Sequence, residues 1–265
     1  MAATPQTATS PAADALRAWR RRRGYSQLDL ALRADTTQRH LSFVESGRSR
    51  PGRSLTIRLA EALEIPLRER NAILLAGGHA PAYADAPLDD ARLGPVRAAL
   101  EHVLTGHLPY PAALTDRDGT LISANGAFDH LIAGVDAALL RPPVNLARLL
   151  LHPDGLRPDI INFDQWGRHV LDGLRRKARR NDLPRLAALA DELEPFVGPR
   201  VGDDGPTDAG AAVPLRLRTA GGELQLLTTL AHFATTIDVT LAELTLEAFL
   251  PADEATAAAL RAATG

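Results

Sequence analysis

The chain contains 265 residues, of which 45% are hydrophobic and 23% are charged, and its formal net charge is −2. This length and composition fit a globular protein with two domains of ordinary size. Because the sequence has no cysteine, disulfides and thiolate metal sites are excluded. No apolar run approaches the roughly 18 residues that span a bilayer, and the N-terminus lacks a signal-peptide pattern, so we expect a cytoplasmic protein without a membrane partner.

The two ends of the chain differ in charge. Residues 1–76 carry 13 arginines and 7 acidic residues, whereas residues 77–265 carry 17 basic and 25 acidic residues. The N-terminal part therefore has a net charge of +6 and suits a polyanion such as nucleic acid, whereas the remainder, at −8, does not.

A small, polar, proline-containing segment opens the chain, and we predict that residues 1–13 form a disordered tail. A first helix is predicted over residues 14–22, with Asp14 as its N-cap. The basic cluster from Arg20 to Arg23 at the end of this helix fits either phosphate contacts or a solvated surface that favours the helix dipole.

The next stretch, residues 25–51, predicts two short helices joined by a tight turn, which is a helix-turn-helix unit. Ser26 and Thr37 are suited to cap the two helices. We predict one apolar stripe on each helix. Its members are Leu28, Ala31 and Leu32 on the first helix, and Leu41 and Val44 on the second.

The second of these helices is the predicted reader of bases. At helical spacing Gln38, Arg39 and Ser42 fall opposite its apolar residues, and amide and guanidinium groups bond purine edges bidentately. An ordinary exposed helix face would show the same pattern. Gln27 is placed either to bond a phosphate or to steady this helix. The full set of predicted DNA contacts is Gln27, Thr37, Gln38, Arg39, Ser42, Arg48, Arg50 and Arg53, and the last three are predicted phosphate contacts.

Two further helices complete a predicted five-helix domain over residues 14–78. Ser54 is the expected cap of the fourth helix, Pro66 stops it, and a fifth helix follows over residues 67–76. A linker with two prolines is predicted over residues 79–92.

Strand patterns flank several helices in the rest of the chain. Residues 112–115 and 120–124 predict a hairpin whose turn is DRDG, and residues 212–218, 224–233 and 239–249 predict three more strands. Together they make a five-stranded antiparallel sheet. Asp116 and Asp118 in the hairpin turn resemble the start of a calcium loop, but Thr120 stands where a third oxygen ligand is needed, so we expect no metal there.

Helices are predicted over residues 93–104, 125–133, 145–152, 162–180, 183–194 and 253–263. The helix over residues 162–180 is amphipathic and has a basic face. Its arginines are Arg175, Arg176, Arg179 and Arg180. They fit either a solvated surface or a contact with DNA or with a ligand carboxylate.

Catalytic motifs are missing from the sequence. Its eight histidines form no HExxH motif, and GxSxG, GxGxxG and GxxxxGK[ST] patterns do not occur. We therefore expect no enzymatic activity and no cofactor.

Two N-terminal segments carry a specific resemblance. SQLDLALRADTTQRHLSFVESGRSRP over residues 26–51 and RLAEALEIPLRERNAILLAGGHAPAY over residues 58–83 resemble the XRE-type, lambda-repressor-like helix-turn-helix regulators. More narrowly, they resemble the MmyB-like branch of these regulators. Asp35 departs from the glycine usual in the turn, and His79 departs from a more typical tyrosine.

The remainder of the chain is similar to the PAS-like ligand-binding domain of the same branch. The segments that carry this similarity are TDRDGTLISANGAFDHLI, NLARLLLHPDGLRPDIINFDQWGRHVLDGLRR and LQLLTTLAHFATTIDVTLAELTLEAFLPADEAT. The resemblance implies a multidomain α and α+β protein, in which residues 93–265 form a PAS-like domain with a five-stranded antiparallel sheet and flanking helices.

The resemblance further implies a transcription regulator that binds a double-stranded DNA operator under the control of a small apolar, fatty-acid-like ligand. We expect a homodimer, because one such domain reads few bases and two half-sites about 34 Å apart multiply the specificity. In a PAS-like domain short helices line a pocket beside the sheet, so the implied ligand contacts are Phe128, Leu131, Leu149, Phe163, Trp166 and Val170. Phe163 and Trp166 also fit a role in the core. The alternative is that the C-terminal domain is only a dimerisation or protein-interaction module.

Overall fold

The computed structural model describes residues 10–199, 213–233 and 238–264. The described residues divide into two compact units, of which the first comprises residues 10–87 and 238–242 and the second residues 88–199, 213–233 and 243–264. No helix within the described ranges is long and apolar enough to cross a membrane.

The first unit begins with five helices, as the sequence predicts. They are α1 (Pro11–Arg22), α2 (Gln27–Arg33), α3 (Gln38–Glu45), α4 (Arg53–Ala62) and α5 (Leu67–Ala76). Their apolar faces meet in one core, in which Leu16, Leu30, Leu41, Val44 and Leu59 are each at most 1% exposed. The core fixes α2 and α3 against the other three helices.

The first helix starts earlier than predicted. Its N-cap is Ser10, whose hydroxyl accepts a hydrogen bond from the backbone N–H of Ala13 at 3.2 Å, and Pro11 takes the first helical position. Ala12 and Ala13 are buried in the core, so the prediction of a disordered tail is wrong for residues 10–13. The first nine residues of that predicted tail lie outside the described residues.

The predicted apolar stripe of α2 is confirmed for Ala31 but wrong for its two leucines. Leu28 and Leu32 are 50% and 73% exposed, whereas Leu30 and Ala31 are buried together with Ala34 at the helix end. Both sets fit helical spacing, and the small side chains of Ala31 and Ala34 allow neighbouring helices to approach closely. Packing therefore selected the face with the smaller residues.

The start of α4 differs from the prediction as well. Gly52, and not Ser54, is the N-cap, and no side chain caps this helix. Thr56 is buried instead, and its hydroxyl donates to the carbonyl oxygen of Gly52 at 3.1 Å. This bond anchors the first turn from within the helix.

The second unit is built on the predicted five-stranded antiparallel sheet, which is confirmed. The strands are β1 (Ala112–Thr115), β2 (Leu121–Ala124), β3 (Leu215–Thr219), β4 (Gly222–His232) and β5 (Thr245–Pro251), and their order in the sheet is β2-β1-β5-β4-β3. Residue 212, where the third strand was predicted to begin, lies outside the described residues.

Helices complete the second unit. They are α6 (Gly94–Gly106), α7 (Gly126–Leu131), α8 (Leu146–Leu151), α9 (Phe163–Asn181), α10 (Pro184–Val197) and α12 (Glu254–Thr264). Asn125 and Asn145 cap α7 and α8. The core of the unit joins residues of the helices, such as Phe128, Leu149 and Trp166, to Phe249 of the sheet.

The start of the predicted strand over residues 239–249 is helical instead. Val239–Ala242 forms a short helix, α11, which is part of the first unit. The backbone N–H of Val239 donates to the carbonyl oxygen of Ala84 at 2.7 Å, and the Thr240 hydroxyl donates to that of Ala86 at 2.7 Å. These bonds draw residues 239–242 out of the strand ladder, and β5 begins three residues later.

Candidate DNA-binding surface and ligand cleft

The turn between α2 and α3 adopts the geometry that the motif requires. Asp35 has a φ of 48°, which is the left-handed conformation that asparagine and aspartate tolerate better than most residues. Thr37 then caps α3 by accepting a hydrogen bond from the backbone N–H of His40 at 3.1 Å. Asp35 therefore adopts the conformation for which glycine is usual at this position, and the turn is intact.

Helix α3 presents one buried and one open side. Leu41 and Val44 are buried, as predicted, whereas Gln38 and Arg39 are exposed and Ser42 is half-buried. The three polar side chains lie on the side away from the core, where they are free to meet the edges of bases. Thr37, Arg48, Arg50 and Arg53 are also exposed.

Phe43 is a residue of this surface that the sequence analysis missed. The guanidinium carbons of Arg39 and Arg48 lie 5.5 and 5.9 Å from the centre of its ring. A cation within about 6 Å of an aromatic ring is attracted to its face. Phe43 thus restrains one predicted base contact and one predicted phosphate contact. Its position between Leu41 and Val44, four residues after Arg39, was the only sign of this role in the sequence.

Glu45, at the end of α3, is the second residue that the sequence analysis missed. Its side chain is 3% exposed and receives hydrogen bonds from Arg20 Nε at 2.6 Å and Arg20 Nη2 at 2.8 Å. Burial alone would raise the pKa of Glu45, but the hydrogen bonds from Arg20 and Gln27 and the charge of Arg20 outweigh it and lower the pKa. The carboxylate is thus held ionised inside the unit.

Gln27 belongs to the same network. Its Nε2 donates to Glu45 Oε2 at 2.9 Å, so in this structure the amide steadies the predicted reading helix, which was one of its two predicted roles. Arg20 and Arg23 of the predicted basic cluster also have structural partners. Arg23 Nε donates to the carbonyl oxygen of Leu63 at 2.8 Å. The arginines of the cluster that are exposed are Arg21 and Arg22.

The second unit contains an apolar cleft of about 440 Å³ beside the sheet. Its walls come from α7, from the hairpin of β3 and β4, and from α12. Leu131, Leu217, Leu224 and Leu260 provide apolar surface, and His130, Asp159 and Arg218 are its charged or titratable members. This volume falls within the range of small-molecule pockets, roughly 300–1,000 Å³.

The structure distributes the six predicted ligand contacts between core and cleft. Leu131 lines the cleft. Phe128, Leu149, Phe163 and Trp166 are buried in the core of the unit, and Val170 packs against that core while half-buried. Whether any of the six contacts a ligand stays a prediction. The residues of α12 that line the cleft, among them Ala259, were missed because an alanine-rich helix carries little pattern.

Comparison with known proteins identifies both units. The family model of the MmyB-like transcription regulator ligand binding domain matches residues 96–263, and a helix-turn-helix family model matches residues 16–70. No curated protein matches the chain.

One similar solved structure is described as "Structure of an RNA-binding Light-Oxygen-Voltage Receptor". It is 14% identical in sequence with a TM-score of 0.26, and the match covers 96% of this chain and 62% of that chain. This likeness is too low to support an argument about fold or function. The two family matches stand on their own, and they show that the chain belongs to the MmyB-like transcription regulators, with an XRE-type helix-turn-helix followed by an MmyB-like ligand-binding domain.

Proposed function

We propose that this DNA-binding regulator recognises a double-stranded operator as a homodimer, and that a small apolar, fatty-acid-like ligand in the C-terminal domain modulates the binding. Such a protein acts where the DNA is, so a cytoplasmic location is part of the proposal. The observation that carries the DNA half is the orientation of α3. Its apolar side is buried and its far end is held by Glu45, while Gln38 and Arg39 are exposed.

The contacts divide into two classes by chemistry. Gln38, Arg39 and Ser42 are proposed to read bases, because amide and guanidinium groups distinguish base edges in the major groove. Thr37, Arg48, Arg50 and Arg53 are proposed to hold phosphates, which position the protein without reading sequence. A homodimer is proposed because binding to two half-sites about 34 Å apart is more specific than binding by one small DNA-binding domain. Gln27 is proposed to act through Glu45 and not on DNA directly.

The apolar cleft supports the ligand half of the proposal. Leucine, alanine and proline side chains make up most of its wall, and this suits the alkyl part of a ligand. Arg218 and His130 at the same cleft offer hydrogen-bond donors to an acidic head group.

Native mass spectrometry of the purified full chain tests the ligand half, with and without added sodium dodecanoate. We expect one added molecule per chain. Replacing Ala259 by phenylalanine fills the cleft and should abolish the added mass. Ala258→Phe is the matched control, because Ala258 is exposed on the same helix but does not line the cleft.

The same samples are then tested for operator binding, with an operator selected from random DNA. We expect dodecanoate to change the affinity of the unmodified chain and of Ala258→Phe, but not that of Ala259→Phe. An empty cleft, together with an operator affinity that lipids leave unchanged, would favour the alternative, in which the C-terminal domain only dimerises or binds another protein.

A further inference from the structure

Helix α9 carries a dense basic segment in an acidic part of the chain. Residues 168–180 contain five arginines, one lysine and one aspartate, whereas residues 77–265 as a whole have an excess of acidic residues. Arg168, Arg175 and Arg179 are spaced by seven and four residues, so they lie along one side of the helix. At 1.5 Å per residue, their backbones are separated by about 10 Å and about 6 Å.

These arginines line a second cleft, of about 460 Å³, between α9 and α10. All its lining side chains are charged. They are Arg168, Asp172, Arg175, Arg176, Arg179 and Glu194. Four of the six are arginines, so the lining is cationic overall.

The carboxylates of the cleft satisfy only part of this positive charge. Glu194 is shared, since Arg168 Nη1 donates to its Oε1 at 2.9 Å and Arg175 Nη1 lies 2.5 Å from its Oε2. The other terminal nitrogen of Arg168 is buried and has no hydrogen-bond partner. A buried donor without an acceptor is unfavourable by about 1–3 kcal/mol. Glu194 Oε2, although close to Arg175, is also buried without a hydrogen bond, so the polar groups of the cleft are incompletely paired.

Arg176 and Arg179 complete the lining, and neither forms an ion pair with any residue that the structure describes. Arg168 and Arg175 already join α9 to α10 through their ion pairs with Glu194. This structural role does not explain why two further arginines line the same cleft. Their guanidinium groups are available to a ligand.

We propose that this cleft binds a small-molecule polyanion with two or more phosphoryl groups. Guanidinium groups hold phosphate bidentately, and arginines at successive turns of a helix match several linked phosphoryl groups better than one carboxylate. A small molecule fits better than a DNA backbone because two of the four arginines are largely buried, with side chains that are only 15% exposed in Arg168 and 31% exposed in Arg175. This second site is separate from the apolar cleft and does not depend on the fatty-acid-like ligand.

The test is calorimetric titration of the full chain with sodium tripolyphosphate at low salt. We expect saturable binding of one molecule per chain. The double variant Arg176→Gln/Arg179→Gln should weaken it at least tenfold. Arg141→Gln/Arg185→Gln is the matched control, since it removes the same charge from two exposed arginines outside the cleft, and should leave the affinity unchanged within twofold.

Folding is checked by the melting temperature, which should be equal in both double variants because none of the four arginines is buried. A third variant, Arg176→Lys/Arg179→Lys, keeps the charge but loses the planar guanidinium group, and should bind with intermediate affinity.

Absence of saturable binding to the unmodified chain would overturn the proposal, and so would an equal loss in the test and control variants. It would also be overturned if Arg176→Gln/Arg179→Gln weakened binding to DNA and left tripolyphosphate binding intact.

Discussion

Arg20 and Glu45 form a two-bonded ion pair that links the end of α1 to the end of α3. The two hydrogen bonds measure 2.6 and 2.8 Å, and the side chains are 11% and 3% exposed. The same carboxylate accepts a hydrogen bond from Gln27 of α2. One buried acidic group therefore fixes the relative placement of the three helices that hold the proposed reading surface.

Removal of this carboxylate should destabilise the first unit. Glu45→Ala leaves the Arg20 guanidinium half-buried without its partner, and breaking such a pair typically costs about 3 kcal/mol. The measurement is urea unfolding followed by Trp19 fluorescence in a Trp166→Phe background, since Trp19 lies in the core of this unit. The control is Glu61→Ala, whose 54% exposed carboxylate lies 3.7 Å from Arg70 and should contribute less than about 1 kcal/mol. Equal losses in the two variants would contradict the prediction.

The same pair should make the stability of this unit depend on pH. The folded-state pKa of Glu45 is lowered, so its contribution is complete above the unfolded-state value of about 4.3 and is lost as the pH falls through the folded-state pKa. Glu45→Gln cannot ionise. The difference in unfolding free energy between Glu45→Gln and the unmodified chain should therefore shrink on acidification below about pH 4.3. A difference that stays constant with pH would contradict the assignment.

Arg39 is expected to contribute to sequence preference. Arg39→Ala should weaken binding to the best operator by about 1–3 kcal/mol and flatten the preference for it over other sequences. Arg50→Ala is the comparison, because loss of a phosphate contact should weaken binding to all sequences alike and reduce the salt slope by about 1. Binding is measured by fluorescence anisotropy on operator and scrambled duplexes. An equal loss on both duplexes would reassign Arg39 to phosphate.

Asn125 should be a main determinant of stability in the ligand-binding unit. Its side chain is buried and makes four hydrogen bonds, with the N–H groups of Ala112 and Phe128 and the carbonyl oxygens of Leu104 and Tyr110. Asn125→Ala leaves buried backbone groups unpaired and should cost about 2–3 kcal/mol.

Asn145→Ala provides a graded comparison for this prediction. Asn145 makes two such bonds, with the N–H of Arg148 and the carbonyl oxygen of Asp118, and its loss should cost about 1 kcal/mol. Urea unfolding is followed by Trp166 fluorescence in a Trp19→Phe background, since Trp166 lies in the core of the second unit. A larger loss at Asn145 than at Asn125 would contradict this ranking.

Local signals in the sequence predicted much of this architecture. The caps Ser26 and Thr37 mark the two helices of the motif, and their hydroxyl groups act within three residues of their own position. Likewise, segments rich in Val, Leu and Thr, together with turn residues, predicted the number of strands. Boundaries were less accurate, since Ser10 and Gly52 begin helices for which Asp14 and Ser54 were expected.

The sequence predicted the DNA-binding surface better than the lining of the apolar cleft. Exposed residues of α3 follow from helical periodicity once its apolar side is known, so Gln38 and Arg39 could be selected from the sequence. The lining of a cleft depends on which elements meet. Leu131, from α7, shares the apolar cleft with Leu217 and Ala259, which are distant in the chain, and no local pattern links them.

The sequence by itself thus determined the helix-turn-helix, its charge and the five strands, because caps, periodicity and composition act over a few residues. Only the tertiary structure decided that Leu30 and not Leu28 faces the core, that Glu45 pairs with an arginine 25 residues away, and that residues 239–242 bond to residues 84–86. Each of these outcomes depends on competition between distant groups for the same partner or the same space, which no local pattern records.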